Sequence, residues 1–109
     1  MHEYNKKIIR EIRTLAEKAY KRELENALAD LQDKFADWDE QKIDAFKLDH
    51  EIYVYHVKTS RAIFKKYNND GQLDMAVASA AARGIIESEE LSDELREALK
   101  PVIKRFGGF

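Results

Sequence analysis

The chain has 109 residues, of which 44% are hydrophobic and 37% are charged, and its formal net charge at pH 7 is −2. This length and composition fit one globular, charge-rich domain with a single core, and the weakly acidic balance argues against a general affinity for nucleic acid or for an anionic membrane. The lack of cysteine excludes disulfides, thiolate chemistry and cysteine-ligated metals. The charged N-terminal segment predicts neither a signal peptide nor a membrane span, and we expect a soluble cytoplasmic protein.

The first two thirds of the chain predict two long helices. No glycine or proline occurs before Gly71, and the apolar residues recur at steps of three and four, which favours helices. One helix of about 70 residues would be about 100 Å long, so a break is needed. Asp37 followed by Glu40 has the spacing of a capping box. We therefore predict the first helix at about 3–36 and the second at about 38–67.

The second helix is predicted to be apolar over a wide arc, as a central helix of a bundle is. One of its stripes consists of Phe46, Tyr53, Val57, Phe64 and Tyr67, and another consists of Leu48, Ile52 and Ile63. Residues 52–57, taken alone, favour a strand. No other segment of the chain could pair with such a strand, so helix is the better prediction.

The segment around Gly71 contains the run Asn-Asn-Asp-Gly, which looks like the start of a calcium-binding loop. With Gly71 at the sixth position of such a loop, Lys66 and Val77 would occupy the first and last positions, where calcium requires carboxylates. We therefore predict a turn, in which asparagine and glycine end the second helix and Asp70 or Asp74 caps the next one.

Two shorter helices are predicted after this turn, at about 73–86 and 93–106, with Ser88 or Ser92 as the N-cap of the second. Together the elements predict an all-α, four-helix fold in a single domain, residues 1–109. In this fold a long antiparallel helical hairpin has a shorter helical hairpin packed against it.

Charge is segregated along the chain. Residues 1–22 carry a net charge of +4, residues 23–51 carry −7 and residues 52–67 carry +4. An antiparallel pair of long helices would therefore have a basic open end and an acidic tip. Such a rod is self-complementary when two copies lie head to tail, which is the arrangement of a two-fold homodimer.

Helix lengths indicate where a partner would bind. Helices of about 30 residues span about 45 Å, whereas helices of about 15 residues span about 23 Å, so the short pair covers only the basic half of the long pair. An apolar stripe on the uncovered half is rarely left exposed in a soluble protein, and its buried aromatic residues would anchor a partner. The residues predicted to form this interface, with a protein partner or with a second copy, are Leu28, Leu31, Phe35, Trp38, Ile43 and Phe46.

One enzymatic alternative rests on His56. Phosphotransfer domains of the four-helix type phosphorylate an exposed helical histidine that has a lysine nearby and a small residue one turn later. Lys58 and Ser60 fit this pattern loosely, but the spacing departs from it. A partly buried, hydrogen-bonded histidine is the better prediction.

A second enzymatic alternative rests on acidic residues at helical spacing: Asp30, Asp33, Asp37, Glu40 and Asp44. Such a row could hold Mg²⁺ in an all-helical nucleotide hydrolase, but those enzymes need acidic pairs that point inwards from several helices. A solvated acidic face is therefore favoured, and no pattern indicates a cofactor, a metal or nucleic acid as a ligand. The sequence predicts a non-enzymatic interaction protein, such as a small regulator, adaptor or inhibitor.

Overall fold

The computed structural model describes residues 4–107. Within them five α-helices are present, namely α1 (Lys6–Asp39), α2 (Ala45–Val54), α3 (Arg61–Tyr67), α4 (Leu73–Ala82) and α5 (Asp93–Arg105), and no β-strand. A π-helical turn, Tyr55–Ser60, joins α2 to α3 while the backbone stays helical, so residues 45–67 form one continuous rod. The predicted all-α fold is confirmed. With α2, the π turn and α3 taken together as one rod, the fold has the four predicted helices.

α1 does not end where the sequence predicts a break. It begins after Asn5, whose side chain accepts a backbone N–H of the first turn at 2.9 Å, and it continues to Asp39. The predicted capping box at Asp37 is wrong, because an N-cap residue needs non-helical backbone and Asp37 lies inside the helix. The helical hydrogen bonds continue beyond Asp37, since the N–H of Glu40 donates to the carbonyl of Ala36 at 3.0 Å.

The chain reverses at residues 40–44. Gln41 adopts a left-handed conformation, with φ of 63°, and the carboxylate of Asp44 accepts the backbone N–H of Lys47 at 2.8 Å as the N-cap of α2. The rod then runs antiparallel to α1, and Lys34 and Glu51 line the same small cavity between them.

The hydrophobic core lies at the open end of this hairpin. α4 packs against α1 and α3, and α5 packs against α4 and α1. The buried residues of α1 are Ile8, Ile12, Leu15, Ala16 and Ala19, and those of α5 are Leu95, Leu99 and Ile103. In the described range α1 has no buried residue beyond Ala19, so the short helices cover the basic half of the hairpin.

The π turn decides which side of the rod is buried. In a regular α-helix, Tyr67 would lie about 100° around the axis from Leu48, which precedes it by nineteen residues. A π turn holds more residues per turn, so each residue in it rotates the chain by a smaller angle about the helix axis. The smaller rotation brings Ile63 and Tyr67 back towards the side of Leu48. All three are buried.

The other side of the rod is open to solvent, and the prediction of a central helix with a wide buried arc is therefore wrong. The exposed apolar residues of the rod are Phe46, Ile52, Tyr53, Val57 and Phe64. They are exposed because α1 packs against the rod along the hairpin seam and α4 packs against α3, on the side of Ile63 and Tyr67.

The segment at Gly71 is a turn, but its caps differ from those predicted. The N-cap of α4 is Gln72, without a side-chain hydrogen bond, so neither Asp70 nor Asp74 caps this helix. The carboxylate of Asp74 instead accepts the hydroxyl of Tyr4 at 2.9 Å and connects α4 to the start of the chain.

α4 ends four residues earlier than predicted because Gly84 terminates it. Gly84 has φ of 78°, and the N–H groups of Gly84 and Ile85 donate to the carbonyls of Ala81 and Ala80, which is a Schellman motif. Ser92 caps α5, as one of the two predicted candidates, and its hydroxyl accepts a first-turn N–H at 3.1 Å.

Candidate protein-interaction surface

The apolar tip surface lies on the half of the hairpin that α4 and α5 do not cover. We use this name for the six residues predicted from the sequence: Leu28, Leu31, Phe35, Trp38, Ile43 and Phe46. Phe46 is 87% exposed, and Leu28, Trp38 and Phe35 are 48%, 46% and 43% exposed. Leu31 and Ile43 are half-buried. Large apolar side chains therefore face solvent on both helices of the tip.

Leu28 and Phe35 lie on the opposite side of α1 from the core. Leu28 follows the buried Ala19 by nine residues, which is about 180° around an α-helix, and Phe35 follows Leu28 by seven residues, which returns to the same side. The helices that bury Ala19 therefore cannot reach Leu28 or Phe35.

The apolar residues of this part of α1 follow a heptad pattern. Leu24, Leu28, Leu31, Phe35 and Trp38 are separated by four, three, four and three residues. Leu24 and Leu31 are half-buried, whereas Leu28 and Phe35 are open. This spacing is typical of a helix that packs along its length against another helix.

The acidic row of the tip lies away from the apolar row. Asp37 follows Leu28 by nine residues and therefore lies about 180° around α1 from it. Across residues 4–107, no lysine, arginine or histidine nitrogen lies within 4 Å of the carboxylates of Asp30, Asp33 or Asp37. The same part of the chain contains no group of three or more potential metal ligands.

Glu23 connects three helices at the point where the covered half of the hairpin ends. Its carboxylate accepts Nη1 of Arg83 at 2.6 Å and Nζ of Lys66 at 3.1 Å, so α1, α3 and α4 meet there. Burial opposes ionisation of this group, but the hydrogen bonds outweigh it and hold the pKa of Glu23 below its ordinary value. Beside it Tyr67 stacks on Tyr20 with ring centroids 5.6 Å apart. Burial, followed by the neighbouring carboxylate of Glu23, raises the pKa of Tyr67.

His56 lies on the exposed side of the π turn, which corrects the predicted partly buried, hydrogen-bonded histidine. The physical reason is that α4 packs on the rod at α3 and α1 packs along the hairpin seam, which leaves the imidazole of His56 facing solvent. The residues that line an open depression with His56 are Tyr20, Val57, Ser60, Arg61 and Phe64. π turns are frequent at functional sites.

Sequence reasoning did not select the exposed apolar residues of the rod beyond Phe46. Ile52, Tyr53, Val57 and Phe64 were assigned to the buried face of a bundle helix, although they are exposed. A signal was present for Tyr53, Val57 and Phe64, because polar residues interrupt their stripe at His50 and Ser60. A buried stripe would not be interrupted in this way.

Fold and surface together define a small all-α protein whose long hairpin extends beyond its own core. Comparisons with models of known families, with curated proteins and with solved structures gave no match for this chain. Of the helices within residues 4–107, none combines the length and the apolar character needed to cross a membrane.

Proposed function

We propose that this protein is a non-enzymatic interaction module, a small regulator, adaptor or inhibitor that binds a protein chain through the apolar tip surface. The observation that carries the proposal is the exposure of Leu28, Phe35, Trp38 and Phe46, between 43% and 87%, on a half of the hairpin that the described chain leaves uncovered. Burying one such side chain completely contributes about 1.5–3 kcal/mol. A partner that covers the patch would therefore gain substantial binding free energy.

The shape of the surface favours a protein over a small molecule. Small-molecule sites are concave and enclose most of their ligand, whereas the apolar tip surface is spread over two helices and the connecting loop. Trp38 and Phe35 are the residues that we propose as anchors, because aromatic side chains dominate the energetics of protein interfaces. The lack of cysteine fits a reducing compartment, and we propose the cytoplasm as the location.

The test compares three variants of the whole chain: Phe35→Ala, Trp38→Ala and, as a matched control, Met75→Ala. Met75 is an exposed apolar residue on α4, outside the tip. The tip variants should weaken self-association in sedimentation experiments, or retention of a partner from an extract of the native host, at least tenfold, while Met75→Ala should not.

Circular dichroism checks that each variant is folded, which we expect because all three side chains are exposed. Equal binding by the wild type and the two tip variants would contradict the proposal, and so would a wild-type chain that binds neither itself nor another protein.

A second candidate function is histidine phosphotransfer, favoured by the exposure of His56 beside Ser60 and Arg61. Incubation with phosphoramidate, which transfers its phosphoryl group to an imidazole nitrogen and releases ammonia, should phosphorylate His56 of the wild type faster than the exposed His50, as measured by peptide mass mapping, and His56→Gln should lose the faster phase. Absence of the faster phase in the wild type would exclude this candidate. The row of Asp30, Asp33 and Asp37 has no comparable observation in its favour.

A further inference from the structure

We infer that the partner bound by the apolar tip surface is a second copy of this chain, packed antiparallel about a two-fold axis that passes near residues 29 and 30 of α1. The inference rests on the proposed function and names the partner of the same surface. It is carried by two patterns along α1, one apolar and one charged, whose midpoints lie half a residue apart.

The apolar pattern is the same in both directions. Leu24, Leu28, Leu31 and Phe35 are separated by four, three and four residues, and their midpoint lies between residues 29 and 30. In an isologous antiparallel contact, residue i of one copy meets residue j of the other and the reverse. Leu24 of each copy then meets Phe35 of the other, and Leu28 meets Leu31.

The charged pattern consists of Lys21 and Asp39. They are eighteen residues apart, about five full turns of α-helix, so they lie on the same side of α1. Lys21 also precedes Leu28 by seven residues, which places both charges beside the apolar row. Their midpoint is residue 30, so the antiparallel contact places Lys21 of each copy beside Asp39 of the other.

Both charges are available for such a contact. Lys21 and Asp39 are exposed, and within residues 4–107 neither takes part in a salt bridge. The complementarity is local, because the overlap of residues 21–39 lies mostly within the acidic segment 23–51 of both copies. Lys21 and Asp39 are therefore the complementary charges of this contact, while Asp37 lies about 180° around α1 from Leu28.

The area is sufficient for a specific contact. The molecule is 24 Å wide, and Lys21 and Asp39 are about 27 Å apart along α1. A contact of that length and width buries about 650 Å² on each copy, which lies at the lower end of specific interfaces.

The test uses charge reversal in the whole chain, measured by sedimentation velocity at low salt. Lys21→Glu alone and Asp39→Lys alone should each weaken the dimer at least tenfold, because every ion pair becomes a repulsion. An equimolar mixture of the two variants should recover wild-type affinity. In the mixed dimer one contact joins the two substituted residues and the other joins the two native ones, and both contacts are between opposite charges. Lys100→Glu and Asp70→Lys, at exposed positions outside the contact, are matched controls that should leave the dimer unchanged.

Two outcomes overturn the inference: a wild-type chain that remains monomeric, or a mixture of the two charge variants that does not recover affinity. If the wild type is monomeric but captures another protein that Trp38→Ala loses, this inference fails and the proposed function stands. If the wild type dimerises and Phe35→Glu dimerises equally well, the copies pair elsewhere and this inference fails. The proposed function fails with it if Trp38→Ala also captures the same proteins as the wild type.

Discussion

Glu90 fixes the connection between α4 and α5 to α1. Its carboxylate accepts Nη1 and Nη2 of Arg22 at 2.7 and 2.8 Å and Nζ of Lys18 at 3.4 Å. Arg22 also donates to the carbonyl of Ile85 at 2.9 Å. The hydrogen bonds from Arg22, followed by the one from the backbone N–H of Glu87, lower the pKa of Glu90 from 4.5 to about 2.

The lowered pKa of Glu90 predicts that the stability of the fold depends on pH through the ionisation of this one residue. A carboxylate whose pKa is lower in the folded state stabilises the fold fully above its ordinary value of 4.5 and loses that contribution as the pH falls towards 2. The free energy of unfolding of the wild type should therefore fall across this window, and that of Glu90→Gln should fall less steeply, as measured by urea unfolding at several pH values.

The control for this prediction is Glu89→Gln. Glu89 is exposed and forms no salt bridge in the described part of the chain, so its substitution should preserve the wild-type slope. An identical slope for the wild type and Glu90→Gln would show that the contact with Arg22 does not stabilise the fold.

At the scale of the helices, the sequence predicted the number and approximate lengths of the four helices because the apolar spacing and the late position of Gly71 are local signals. It did not predict which aspartate caps the second long helix. Asp37 and Asp44 are both suitable N-cap residues, and the pairing of the long helices, with the left-handed residue Gln41, selects Asp44.

The π turn was not predicted because it is a consequence of tertiary packing. A regular helix would satisfy the local sequence of the rod, but it would rotate Tyr67 away from Leu48. The exposure of His56 was also predicted wrongly, because the sequence does not show which side of the rod α1 and α4 cover. The role of the tip surface as an interface follows from helix lengths alone, and it stays a prediction.

The π turn predicts an asymmetry between deletion and insertion in the rod. Deletion of the exposed Lys58 would leave Tyr67 eighteen residues after Leu48, about five full turns of regular α-helix, so Ile63 and Tyr67 stay buried without a π turn. Insertion of one alanine after Lys58 rotates both residues further, by about 100°. The deletion should change the free energy of unfolding by less than about 1 kcal/mol, whereas the insertion should cost about 2–4 kcal/mol.

Thermal and urea unfolding followed by circular dichroism measure both variants. The two changes occur at the same site and alter the chain by one residue each, so each is the control for the other. Equal destabilisation by the deletion and the insertion would mean that the π turn does not correct the register of the rod.

At the scale of the whole molecule, the proposed dimer has a length that distinguishes it from other arrangements. The protein is 53 Å long, and the axis near residue 30 lies about 18 Å from the tip at 1.5 Å per residue. Two copies that overlap only at their tips therefore extend to about 70 Å, whereas two copies packed side by side over their full length keep the 53 Å of one copy.

Small-angle X-ray scattering on the dimer measures this dimension. We expect a maximum dimension of about 70 Å plus the hydration layer at concentrations above the dissociation constant, and a return towards 53 Å on dilution. The variant Leu28→Asp should show the shorter dimension at every concentration, because the charge removes the apolar contact at the axis but lies on an exposed side of α1 and leaves the fold intact. A concentrated wild-type sample that scatters as a 53 Å particle of twice the mass would place the axis elsewhere and contradict the pairing of Lys21 with Asp39.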